Sequence, residues 1–146
     1  MAPFVASEKQ RKCHAMAQRR AEGGLRGAVE RGHSAQRAWI RDGVLVSRGE
    51  FAAARGVTPE QLEVMKTEGE LFTIVVDGED WWPADLLKLS PSEAAYVCLA
   101  LRMHEDAVKL LFLVRKHGAL AGRTVVEAIH AGLLRRVLSL ARDLRI

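Results

Sequence analysis

The stretch Leu45-Val46-Ser47-Arg48-Gly49-Glu50-Phe51-Ala52-Ala53-Ala54-Arg55-Gly56-Val57-Thr58-Pro59-Glu60-Gln61 decides the fold, because it holds two helix starts with one stop between them. Ser47 and Glu50 fit a capping box, in which each side chain satisfies a free backbone N–H at the start of a helix. Gly56 ends that helix, since glycine takes the left-handed conformation that helix ends favour. Thr58 then caps a second helix, Pro59 fits its first position, and Gln61 closes a second box. Two short helices that meet at Arg55-Gly56-Val57-Thr58 make a helix-turn-helix layout.

Toward the C-terminus, the second helix carries Leu62 and Met65 and ends near Gly69. Leu71-Phe72-Thr73-Ile74-Val75-Val76 is rich in β-branched residues and predicts a strand. Asp77-Gly78 is a hairpin turn, and Asp80-Trp81-Trp82-Pro83 is the return strand. A hairpin placed directly after the second helix makes a wing. Trp81 and Trp82 must point to opposite faces of their strand, one to the core and the other a candidate anchor for a partner. From Ser90, helices are expected to about Met103, from about Glu105 to Lys116, from Arg123-Thr124 to Ala131, and from Leu133 to Leu144. The last places Leu133, Val137, Leu140, Ala141 and Leu144 on one face. His104, Glu105 and Asp106 read as capping and dipole charges at a helix start.

Toward the N-terminus, residues 7–22 look helical and polar, Gly23-Gly24 breaks them, and a second helical piece runs from about Leu25 to Ile40 before a turn at Asp42-Gly43. Its apolar face (Leu25, Val29, Trp39 and Ile40) is thin. Such a segment must pack on something, pair with a copy of itself or stay mobile, and a homodimer is expected because Leu25, Val29 and Trp39 lack enough local core to bury them. The expected class is therefore mainly α, with a winged helix-turn-helix and one small β-hairpin. The expected domains are a basic helical arm at 1–43, the winged module at 44–89 and a C-terminal four-helix domain at 90–146.

At this point the order of residues resembles a known group. Leu45 to Ala52, Gly56-Val57-Thr58, Gly69-Glu70-Leu71-Phe72, Asp77-Gly78 and Trp82-Pro83 resemble bacterial helix-turn-helix proteins related to antitoxins. Leu120-Ala121-Gly122-Arg123-Thr124-Val125-Val126-Glu127-Ala128-Ile129, followed by Gly132, is similar to the end of the partner-binding domain of repressor-type antitoxins. That pattern has Pro where Val125 stands. The resemblance covers about residues 44–146. It implies a transcriptional regulator that binds DNA and a protein partner, a toxin, with Trp82, Arg123, Thr124, Arg135 and Arg136 as candidate partner contacts.

Charge complicates the DNA reading. The chain of 146 residues has a net charge of +4, but residues 1–47 hold 9 basic and 4 acidic side chains, residues 48–87 hold 3 and 9, and residues 88–146 hold 10 and 5. The helix-turn-helix is thus acidic between two basic flanks. Its second helix presents Glu60, Glu63 and Glu68 against one cation, Lys66, and the wing tip is Asp77-Gly78-Glu79-Asp80. The phosphate backbone repels such a face. Candidate DNA contacts are Arg19, Arg20, Arg26 and Arg31 in the arm, where Lys12, Arg19 and Arg26 recur every seven residues, with Gln61 and Lys66 in the module. The alternative is an adaptor or toxin-neutralising protein that has lost DNA binding and meets a basic protein surface through its acidic helix.

Other classes find little support. A hydrophobic fraction of 49% with 27% charged residues excludes wholesale disorder, and Cys13 and Cys98 are too few for a disulfide scaffold. No signal-peptide core precedes the first charges, and the most apolar run, Ala94 to Val114, is broken by Arg102, His104, Glu105, Asp106 and Lys109. A cytoplasmic protein is expected. His14, His33, His104, His117 and His130 show no ligand spacing. No phosphate loop, dinucleotide fingerprint or nucleophile elbow occurs. Neither an enzyme nor a metal or cofactor site is expected.

Overall fold

The computed structural model describes residues 34–145. The chain divides into two units, Met1–Ala38 and Trp39–Ile146. Of the first, only residues 34–38 are described, and they are helical. The helices expected over 7–22 and from Leu25 lie outside the described residues.

The second unit is mainly helical, with a small antiparallel sheet. It opens on helical residues 39–41, closed at Gly43, whose φ of 79° lets its N–H donate to the Ile40 carbonyl at 3.1 Å. There follow β1 (Leu45–Val46), α1 (Arg48–Arg55), α2 (Pro59–Thr67), β2 (Ile74–Val76) and β3 (Glu79–Pro83). A 3-10 turn at Ala84–Lys88 leads to α3 (Pro91–Ala100), α4 (Asp106–Val114), a second 3-10 turn at Gly118–Leu120, α5 (Val125–His130) and α6 (Leu134–Arg142).

The hairpin expected at Asp77-Gly78 forms, with φ of 52° and 82° at its two central residues, as the twist-matched hairpin turn requires. The sheet has one more strand than expected. Its order is β1-β3-β2, with Leu45 opposite Pro83 and Val46 opposite Trp82. A two-residue strand is too short to show an alternating pattern, so only its pairing reveals it. The strand expected from Leu71 starts later, at Ile74. Leu71, Phe72 and Thr73 are buried but lie off the ladder.

Four helices begin with a reciprocal capping box: Ser47 with Glu50, Thr58 with Gln61, Ser90 with Glu93, and Thr124 with Glu127. Replacing such a cap with alanine costs about 1 kcal/mol. The start of α4 differs from expectation. Glu105 stands at the cap position without a side-chain bond to the backbone, and Asp106 pairs instead with Lys109 at 3.2 Å. The longer glutamate side chain is not among the short polar groups that cap well.

The core is continuous through this unit. Trp82 and Phe51 are fully buried with ring centroids 5.5 Å apart. Leu62 of α2, Leu86 of the 3-10 turn, Val97 of α3, Leu110 and Leu113 of α4, Val125 of α5 and Val137 of α6 are all fully buried with them. Trp39 and Ile40 pack on this core.

Arg55 ties α1 to the segment that leaves the sheet. Its Nη1 donates to the Leu89 carbonyl at 2.9 Å and its Nη2 to the Leu86 carbonyl at 2.8 Å, while its guanidinium lies over the Phe51 ring. Desolvation lowers its pKa, yet a guanidinium stays charged at any working pH. Arg55→Ala should destabilise the protein by about 2–4 kcal/mol, since it removes two charged donors, one of them from the Leu89 carbonyl and the other from a Leu86 carbonyl left with only a 3.4 Å backbone bond. Lysine cannot reach both carbonyls with one ammonium, so Arg55→Lys should recover less than half of that. Urea denaturation followed by circular dichroism measures both.

Candidate functional site

The surface of α2 is built by its own cap and by the hairpin beside it. The Thr58 N–H donates to Oε1 of Gln61 at 2.8 Å, so the Gln61 side chain is turned back on the helix start. Lys66 Nζ lies 2.6 Å from Oδ2 of Asp80 on β3 and 3.1 Å from Oε1 of Glu63 one turn back. The other oxygen of Glu63 accepts from Nη1 of Arg48 at 3.1 Å. Arg48, Glu63, Lys66 and Asp80 thus form one chain of charges across α1, α2 and β3. The hydrogen bond to Asp80 raises the Lys66 pKa most, burial opposes it, and the bond to Glu63 adds a smaller upward push. Both cations near this face are neutralised by their neighbours, whereas Glu60, Glu68 and Glu79 are exposed with no ion pair among the described residues.

The residues expected to touch ligands fall in different places. Arg19, Arg20, Arg26 and Arg31 lie outside the described residues. Gln61 and Lys66 share α2, but both are engaged within the fold. Trp82, expected at a partner surface, is instead in the core with 0% exposure; Trp81 is the partly exposed member of the pair. The pairing of β3 between β1 and β2 sets which ring turns inward. Arg123 is exposed, and its Nη1 donates to the Leu120 carbonyl at 3.4 Å. Thr124 caps α5 by accepting from the Glu127 N–H at 3.2 Å. Arg135 and Arg136 are exposed on the first turn of α6.

A second surface escaped the sequence reading. Between α3 and α6 lies a cleft of about 510 Å³ lined by Tyr96, Leu99, Met103 and Leu138, with Arg102 and Arg142 at its edges. Tyr96 is 54% exposed, Leu99 37% and Met103 86%. Their spacing of three and four residues was the available signal. It was masked because α3 also buries Ala94, Val97 and Cys98 and so reads as apolar all round.

The polar chemistry elsewhere is structural. His117 meets the Phe112 carbonyl at 2.8 Å and His130 the Lys88 carbonyl at 2.9 Å. Burial pushes the Cys98 thiol up to about 12, so it is not a ready thiolate at neutral pH. Among the described residues no group of three His, Cys, Asp or Glu could hold a metal, and no helix is long and apolar enough to cross a membrane.

Comparison with known proteins finds no family model, no curated protein and no solved structure that matches the chain.

The Lys66 cluster has a pH signature. A lysine whose folded pKa is raised contributes stability below its unfolded value, near 10.5, and loses it as pH rises through the folded value. The stability gap between the natural protein and Lys66→Met should therefore be about 1 kcal/mol near pH 8, as for a partly exposed pair, and shrink as pH rises beyond 10.5 and through the raised folded value. Urea titrations across that range check it; an unchanged gap would mean that Lys66 acts by packing alone.

Proposed function

We propose that the chain is a non-enzymatic, antitoxin-like regulator whose folded part binds protein and not DNA. The order β1, α1, α2, β2, β3 with β3 central supports reading residues 44–89 as a winged helix-turn-helix. The four helices that follow support the partner-binding role that the C-terminal resemblance implies. One observation carries the choice between DNA and protein. Of the two side chains of α2 that would reach a duplex, Lys66 is held by Asp80 and Glu63 and Gln61 turns its amide oxygen back to the Thr58 N–H, while the carboxylates of Glu60 and Glu68 stand exposed without an ion pair among the described residues. A DNA-reading helix needs donors and cations aimed at phosphates and base edges. A helix that presents Glu60 and Glu68, with Glu79 of the hairpin beside it, is suited to a basic protein surface, which it attracts over a distance that salt shortens.

DNA contact by another route is a second reading. Residues 1–47 hold 9 basic side chains against 4 acidic ones, and Arg19, Arg20, Arg26 and Arg31 are the candidates there. That contact is of the phosphate type, which positions a protein without reading sequence. A homodimer remains part of the proposal. Trp39 lends it no support, because its ring packs on the core of its own chain.

The test is duplex binding by the full chain at low salt, measured by fluorescence anisotropy. Replacing Glu60, Glu63 and Glu68 together by glutamine should leave any duplex affinity within about twofold, because those carboxylates do not face phosphate. A tightening of about tenfold or more would place α2 on the DNA and overturn the proposal.

A further inference from the structure

The cleft between α3 and α6 plays no part in the proposed function of α2, and its composition points to one kind of occupant. Its apolar lining is Tyr96, Leu99, Ala100, Met103 and Leu138. Its charged lining is Arg102 and Arg142, with His104 beside them, and among the described residues no acidic side chain lines it. Met103 lies seven positions after Tyr96, on the order of 10 Å along the helix and the turns that continue it. Two turns of a docking helix present anchors at i, i+3, i+4 and i+7 over the same span.

We infer that this cleft is a docking groove for an acidic amphipathic helix of another protein. That helix would lay apolar side chains on Tyr96, Leu99 and Met103 and set carboxylates against Arg102 and Arg142. Charge argues against two occupants within reach of this chain, the same groove of a second copy and the N-terminal segment. A second copy docked groove to groove would bring two sets of arginines together, which like charges oppose. Residues 1–33 carry 7 basic and 3 acidic side chains, so that segment has the wrong sign as well. An acidic helix satisfies both the apolar lining and the basic edge.

The surface is distinct from the acidic face of α2, and the experiment keeps the two apart. The probe is a synthetic amphipathic helix of about 18 residues, with leucine at i, i+3, i+4 and i+7 positions and glutamate on its flanks, titrated against the full chain by anisotropy. Met103 is 86% exposed, so Met103→Glu should leave the fold intact by circular dichroism. It should weaken the probe by about tenfold or more, as loss of a central apolar anchor does. Arg102→Glu with Arg142→Glu should weaken it by about fivefold and should strengthen the same peptide carrying lysine in place of glutamate. Replacing Glu60, Glu63 and Glu68 by glutamine should change nothing, whatever the fate of the α2 reading. The inference is overturned if the glutamate peptide fails to bind, or if both peptides bind the natural protein alike. It is overturned equally if Met103→Glu converts a dimer to a monomer in sedimentation, since a second copy would then be the occupant.

Discussion

The guanidinium of Arg55 joins the two ends of the folded unit. It leaves the last turn of α1 and meets the Leu86 and Leu89 carbonyls in the segment that carries the chain from the sheet to α3. Those carbonyls stand in and just after a 3-10 turn, and the Leu86 carbonyl also accepts from the Leu89 N–H at 3.4 Å. The same side chain covers the Phe51 ring, which in turn stacks obliquely on Trp82. One residue therefore fixes the first helix, the middle strand and the entry to the C-terminal helices relative to each other. The acidic face and the cleft both stand on that frame.

On this frame, charge decides what the surface can bind. Lys66 would be the natural phosphate contact of α2, but Asp80 comes from the hairpin to hold it. The hairpin thus holds the one cation of α2. Glutamates on the outer surface of α2 then set the sign of the face. The C-terminal helices carry the opposite sign, with Arg102 and Arg142 beside exposed apolar side chains. The unit offers a partner two surfaces of opposite charge.

Much of this was legible in the residues, wherever structure depends on neighbours in sequence. Ser47-x-x-Glu50 and Thr58-x-x-Gln61 announce their helices because capping boxes are local. Asp77-Gly78 announces its hairpin because few residues tolerate two left-handed positions in succession. The alternation of Trp81 and Trp82 is equally plain. Which of them faces the core was not, since that depends on β1, a strand of two residues recognisable only through Trp82 and Pro83 opposite it. The Lys66–Asp80 pair spans fourteen residues and exists only once the hairpin has folded over α2. The cleft was hidden for the same reason. Whether Tyr96 and Met103 lie in the core or outside depends on where α6 packs.

The central claim is that the α2 face avoids DNA. Hydrogen–deuterium exchange of the full chain, with and without duplex DNA at low salt, tests it most directly. Residues 59–67 should exchange at the same rate in both conditions, with any protection confined to the basic N-terminal segment. Strong protection of residues 59–67 on addition of DNA would contradict the claim.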